Sequence, residues 1–190
     1  MNRFAVIDTE TTRKNEVMSI GIAIGNSADF KLVDKRYYIL TPFKDHSAMY
    51  SGVLYARGIK PDLEGSRKAA VDDIKAFLTK YNVRSIFAYN AAFDYGLLPE
   101  LHYLKWYDIM KLASDSKYNK KISADSELSK NGRLKRGYGV ENIYRMLSGD
   151  PKYNELHNAV QDAVDELEIM RMLDISLDQY SIAELRPVSS

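Results

Sequence analysis

Apolar positions along the chain fall into two kinds of run, continuous and helically spaced. Phe4-Ala5-Val6-Ile7 and Val17 to Ile24 (VMSIGIAI) are continuous, which predicts strands covered on both faces. A polar turn, Arg13-Lys14-Asn15-Glu16, separates them, and Gly25-Asn26-Ser27 marks a second turn. Lys31 to Leu40 alternates in part and ends in Tyr37-Tyr38-Ile39-Leu40, a third strand. Three strands with short connections predict an antiparallel meander. Pro42 to Gly65, rich in Pro and Gly, reads as irregular. Ser66 is placed to cap a helix in which Val71, Ile74 and Leu78, with Ala70 and Phe77, form one apolar face. Val83 to Tyr89 is a further strand, and a helix between strands predicts a parallel crossover. Asn90 to Leu104 reads as helical, with Phe93, Leu97, Leu98, Leu101 and Leu104 near one face and a break at Pro99. Periodicity is lost from Ser114 to Gly139. Val140 to Leu147 is a short helix closed by Ser148-Gly149-Asp150-Pro151. Asn158 to Leu173 is a longer one, with Val160, Val164, Leu167 and Met170 as its core face. A last helical turn from Leu177 to Leu185 ends at Pro187.

Composition narrows this pattern. With 190 residues, 45% of them hydrophobic, the chain can build one sizeable core, so residues 1–190 are read as a single domain. A net charge of +1 sets up no global field for a polyanion. One stretch departs from that balance: between Lys117 and Arg136, seven basic residues face two acidic ones. It suits a solvated loop and a phosphate-contacting segment equally. The absence of cysteine excludes disulfides, thiolate catalysis and zinc-thiolate centres. No run approaches the roughly 20 apolar residues of a membrane span, so no membrane partner is expected. The first strand begins at once and leaves no room for a signal peptide, which points to a cytoplasmic location. The 14 tyrosines are scattered, as core-edge and surface tyrosines usually are, and suggest no function.

Candidate chemistry lies at the end of the first strand. Asp8 and Glu10 flank Thr9, and alternation along a strand sends both carboxylates to one side. Two such groups at the end of an apolar strand repel each other and resist desolvation, objections that a hard divalent cation removes. Taken alone, the pair also suits a turn cap beside a solvent-facing acid. Two later stretches add partners. In FAYNAAFD, Asn90 is placed to cap a helix after a strand, and Asp94 sits one turn in, at a sheet edge where ligands bind. In HNAVQDAVD, Asn158 and Gln161 resemble a capping box, so that helix is expected to start at Asn158. Five residues apart on one helix, His157 and Asp162 would splay by about 140°; with His157 in the preceding loop, both can face one site. An ordinary helix ion pair for Asp94 and a surface role for His157 remain alternatives.

In order, the motifs are DTE at 8–10, NAAFD at 90–94 and HNAVQDA at 157–163. This order resembles the DnaQ-like 3′–5′ exonucleases of the DEDDh group. The resemblance implies an α/β, ribonuclease-H-like fold: a central mixed sheet of about five strands, the first three antiparallel, flanked by helices. It implies two divalent metal ions, Mg²⁺ with Mn²⁺ as substitute, held by Asp8, Glu10, Asp94 and Asp162, with His157 as general base. Thr9, Glu10, Thr11, Asn90, Phe93 and Arg57 are the implied substrate contacts. Two positions depart from the family: Tyr89 precedes Asn90 where relatives often have His, and Arg57-Gly58-Ile59 replaces an HGI turn. The implied activity is release of nucleoside 5′-monophosphates from 3′ ends of single-stranded DNA or RNA. DTETT looks more like the DNA-trimming and proofreading branch. An oligoribonuclease-like trimmer of short RNA and a non-catalytic nucleic-acid-binding module on the same fold are the rival readings. A polymerase or another replication or repair protein is carried as a candidate partner, although the tail after Leu173 is short for docking.

Overall fold

The structure, a computed structural model, describes residues 2–41 and 51–185. Part of the stretch read as irregular, 42–50, and the helix stop at Pro187 therefore lie outside the described residues. Strands β1 (Arg3–Thr11), β2 (Val17–Asn26) and β3 (Leu32–Leu40) form the expected meander. The β1–β2 turn is held by Thr12, whose Oγ1 accepts the amides of Lys14 and Glu16, each at 3.2 Å. Asn15 takes the left-handed backbone that this tight turn needs.

The sheet has six strands rather than about five, in the order β4-β3-β2-β1-β5-β6. The two strands that the hydrophobic pattern did not reveal are β4 (Leu63–Gly65) and β6 (Lys105–Asp108). Both are short edge strands, three and four residues long, which carry too few positions to establish a period of two. Helix α1 (Arg67–Lys80) starts at Ser66, whose side chain accepts the Ala69 amide at 3.2 Å, and buries the anticipated face. It leads to β5 (Ser85–Ala88), which lies parallel to β1 and shares a register in which Val6 faces Phe87. The stretch expected as one broken helix is α2 (Ala92–Leu97) followed by a 3-10 turn, Pro99–Leu101, with Pro99 at its start. β6 then feeds α3 (Ile109–Ala113). α4 (Val140–Ser148) and α5 (Ala159–Leu173) agree with the pattern, and Gly149 closes α4 in the left-handed region. A 3-10 turn, Leu177–Ala183, follows α5.

Alternation along β1 divides the core. Phe4 and Val6 pack with Ala163, Leu167 and Met170 of α5, while Ala5 and Ile7 pack with Ala70, Ile74 and Leu78 of α1. Helices on both faces are why β1 and β2 are apolar throughout rather than at every second residue. One contact fixes where α5 begins. A Cβ on Gly21 would lie 2.0 Å from the Ala159 carbonyl oxygen, so only glycine lets the first turn of α5 lie against β2 at this height. Gly21 pairs with Asp8. Among the described residues no helix is long and apolar enough to cross a membrane.

Candidate active site

β1, β5 and β6 run parallel, so their C-terminal ends share one edge of the sheet. Asp8 and Glu10 leave β1 there, on the same face as Phe4 and Val6, toward α5. A register irregularity between Glu10 and Thr11 ends the regular pairing just beyond them. Asp94 comes from the first turn of α2 and is buried; it accepts the Thr9 hydroxyl at 2.7 Å across the strand. Asp162 is buried in the first turn of α5. His157 precedes that helix in the left-handed conformation, half-buried. Ligating atoms of Glu10, His157 and Asp162 lie within 4.8 Å of one another. The loop position thus does bring His157 and Asp162 to one place.

The electrostatics of this cluster are those of acids without a counter-charge. Burial, followed by repulsion from Glu166, Asp94, Asp162 and Glu10, pushes the Asp8 carboxyl well above its usual range. Burial raises Asp162 to about 9, with Glu155 and Glu10 adding to it. Glu10 rises to about 7 through burial and then Glu155, while a side-chain hydrogen bond from Asp162 opposes the shift. Asp94 rises to about 7 through burial, against the Thr9 hydrogen bond. Burial lowers His157, outweighing the nearby Glu141. Two carboxylate oxygens, Oδ2 of Asp8 and Oδ1 of Asp162, are buried without a hydrogen-bond partner. Buried acceptors without donors are costly, and an oxygen-seeking cation would satisfy both.

No protein-family model matches the sequence, and no curated protein does. Solved structures do match. The nuclease domain of 3′hExo, a DEDDh family member bound to rAMP, aligns with a TM-score of 0.64 at 12% identity, covering 98% of each chain. The chain shares the fold of that nuclease domain. Exonuclease X in complex with 5′ overhanging duplex DNA shares it with a TM-score of 0.59 at 19% identity, over 94% of this chain and 98% of that one. A 3′-exonuclease solved with a histone mRNA stem-loop shares it with a TM-score of 0.66 at 13% identity, over 92% of this chain. The chain spans 65% of the length of that protein.

Within this fold the remaining sequence-based candidates are scattered around the cluster. Thr9 is buried and holds Asp94. Thr11 ends β1. Phe93 is 41% exposed at the start of α2. Arg57 is exposed in the left-handed conformation; burial raises the Asp165 carboxyl, and Arg57 is near enough to oppose that rise in part. Asn90 does not cap α2: Ala91 holds the cap position without a side-chain bond, and Asn90 turns left-handed, its amide donating to Asp108 at 3.1 Å. Nor is there a capping box at α5. Asn158 occupies the cap position, but its Nδ2 donates to the Val53 and Leu54 carbonyls and the Tyr37 hydroxyl, while Gln161 donates to Asp165 at 2.8 Å.

Three further acidic residues escaped the motif reading. Glu166 is buried and accepts the Tyr89 amide at 3.0 Å; burial and then Asp94 push its carboxyl well above the usual range. Its signal was available: it falls between Ala163 and Met170 on the apolar stripe of α5. Burial, with Glu141 next, raises Glu155 to about 7. Asp165 accepts the Tyr153 hydroxyl at 2.6 Å. The loop carrying His157 is also tied down. Arg145 donates to the Tyr153 carbonyl at 2.8 Å, Glu141 accepts the Glu155 amide at 3.2 Å, and Tyr144 stacks on Tyr153. These bonds hold the loop at Tyr153 and Glu155, just before His157.

Proposed function

We propose that this protein is a divalent-metal-dependent 3′–5′ exonuclease that releases nucleoside 5′-monophosphates. The observation that carries the reading is the convergence of four carboxylates at one sheet edge, two of their oxygens buried without donors, on the DEDDh fold. Asp8, Glu10, Asp94 and Asp162 would hold the cations, Mg²⁺ or Mn²⁺, because an all-oxygen donor set suits both. When bound, such ions supply charge neutralisation at the phosphorus and at the departing 3′ oxygen. The chain's own residues do the rest. His157, whose pKa burial lowers, accepts a proton from the attacking water. The water oxygen bonds to phosphorus and the P–O3′ bond breaks; the departing 3′ oxygen takes a proton from solvent and His157 returns its own to solvent, so one water is consumed per bond. Thr9 keeps Asp94 oriented. Phe93 offers an exposed ring for a terminal base, and Asn90 and Arg57 offer polar contacts. The rAMP, overhanging DNA and RNA stem-loop held by the similar structures favour nucleic-acid 3′ ends as substrate. They lend no support to a polymerase or repair partner.

Digestion of end-labelled DNA and RNA strands in Mg²⁺ or Mn²⁺, with and without a 3′-phosphate block, tests this. Stepwise loss of 3′ mononucleotides, abolished in Asp8→Asn and Asp162→Asn proteins that remain folded, is the expected result. Strand binding with no metal-dependent release would leave a binding module instead.

A further inference from the structure

The segment from Ser114 to Tyr138 has no helix or strand, yet it is held in place. The Leu134 amide donates to the Ser114 carbonyl at 2.8 Å, and the Ser116 amide donates to the Gly132 carbonyl at 3.0 Å. Asn119 is buried and donates to the Ala113 carbonyl at 2.8 Å, and Leu134 is buried in the core. The backbone that carries its cations is therefore held in place. Three cations, Lys111 from α3 with Arg133 and Lys135 from the segment, line one open cavity of about 320 Å³ together with Ser114 and Tyr138. No acidic residue lines it. Arg133 sits 3.9 Å from Asp115, while Lys111 and Lys135 make no ion pair among the described residues. Tyr138 is 43% exposed. In a chain whose net charge is +1, this is a concentrated patch.

The cavity adjoins the candidate active site. α3 leaves the C-terminal end of β6, the sheet edge that also carries Asp8 and Asp94. Asp108 caps α3 at the Met110 amide, 3.0 Å away, and accepts the Asn90 amide at 3.1 Å, which joins the start of α3 to the turn before α2. From the other side, the Tyr89 hydroxyl donates to the Tyr138 carbonyl. Cations on a held backbone beside one exposed ring match the alternation of phosphate and base in an unpaired strand. We propose that this cavity is the track for the single strand upstream of the 3′ end: Lys111, Arg133 and Lys135 hold phosphodiesters while the Tyr138 ring stacks on a base. The track rests on the exonuclease reading, since it assumes a 3′ end at the carboxylates. Phosphate and base are common to DNA and RNA, so both are its ligands.

The test is equilibrium binding of a labelled strand about 16 nucleotides long, the upper range for one such module, and of a dinucleotide. DNA and RNA forms are both used, with the Asp8→Asn protein so that no ligand is consumed. The long strand should bind at least ~10-fold tighter than the dinucleotide. Adding Lys111→Gln and Lys135→Gln should remove most of that advantage and flatten the slope of log affinity against log salt by about 1.4, from two single-strand phosphate contacts. Tyr138→Leu, which keeps the backbone carbonyl, should weaken the long strand alone. An unchanged slope and an undiminished long-strand advantage would overturn the track while leaving hydrolysis by the unaltered protein intact. Absence of hydrolysis in both Mg²⁺ and Mn²⁺ is the separate outcome that removes the exonuclease reading, and the track with it.

Discussion

His157 stands beside Glu10 and Asp162, which would ordinarily draw an imidazole toward its charged form, yet burial lowers its pKa. A base lowered below its ordinary value near 6.5 stays neutral further into the acid range. The acid limb of the pH–rate profile assigned to it should therefore fall below that value. His157→Ala should lose about 10²–10⁴ in turnover, the usual worth of a positioned base. Single-turnover cleavage across pH reads both effects, and a rate within a few-fold of the unaltered protein would remove His157 from the chemistry. Glu166 makes a different case. Burial pushes its carboxyl well above the usual range and so favours the neutral form, which Glu166→Gln imitates while keeping an acceptor for the Tyr89 amide. Gln should leave thermal stability nearly level. Glu166→Ala strands a buried amide and should cost about 1–3 kcal/mol in denaturant unfolding. Equal losses from the two variants would mean that the charge, not the acceptor, matters here.

At the scale of elements, α5 is the part whose position decides the site, because it brings Asp162 opposite Asp8. Gly21→Ala would drive a methyl into the Ala159 carbonyl, a backbone atom that can yield only if the start of α5 moves. Overpacking of this kind costs about 1–3 kcal/mol. Hydrolysis should fall far more than the melting midpoint predicts, since the helix shift separates the acids; activity that merely tracked stability would argue against this role. The sequence made α5, α1 and the meander legible because their apolar periods run long enough to repeat. It also made the carboxylates legible, since their motifs lie at strand ends and helix starts. β4 and β6 were too short to show a period. The cap at Asn158 was misread because its amide group finds partners more than a hundred residues away, at Val53, Leu54 and Tyr37, which local spacing cannot show. Glu166 shows in the sequence only as an acid on the apolar stripe of α5, a signal that belongs to none of the three motifs.

For the molecule as a whole, the cluster ties stability to pH and to cations. Each raised carboxyl is harder to ionise in the folded chain than in the unfolded one. Its contribution is complete below the unfolded value near pH 4. It is lost as pH rises through about 7 for Glu10, Asp94 and Glu155 and about 9 for Asp162. In chelator, the melting temperature should drop between pH 5 and 9 by an amount on the order of a few kcal/mol of stability. Millimolar Mg²⁺ should restore it by mass action, and Asp162→Asn should flatten the chelator curve. A metal-free melting temperature that is level across this range would show that the acids do not repel as their burial requires. The docking of α5 on Gly21 has a further consequence, in time. The acids of β1 are made first and meet Asp162 only after some 150 more residues. At about 5–20 residues per second, that interval is roughly 8–30 seconds of synthesis. Ribosome-bound chains halted short of Asn158 should be silent in the end-labelled digestion assay. On the proposed exonuclease reading, the nascent chain emerges beside its own messenger RNA without the means to cut it.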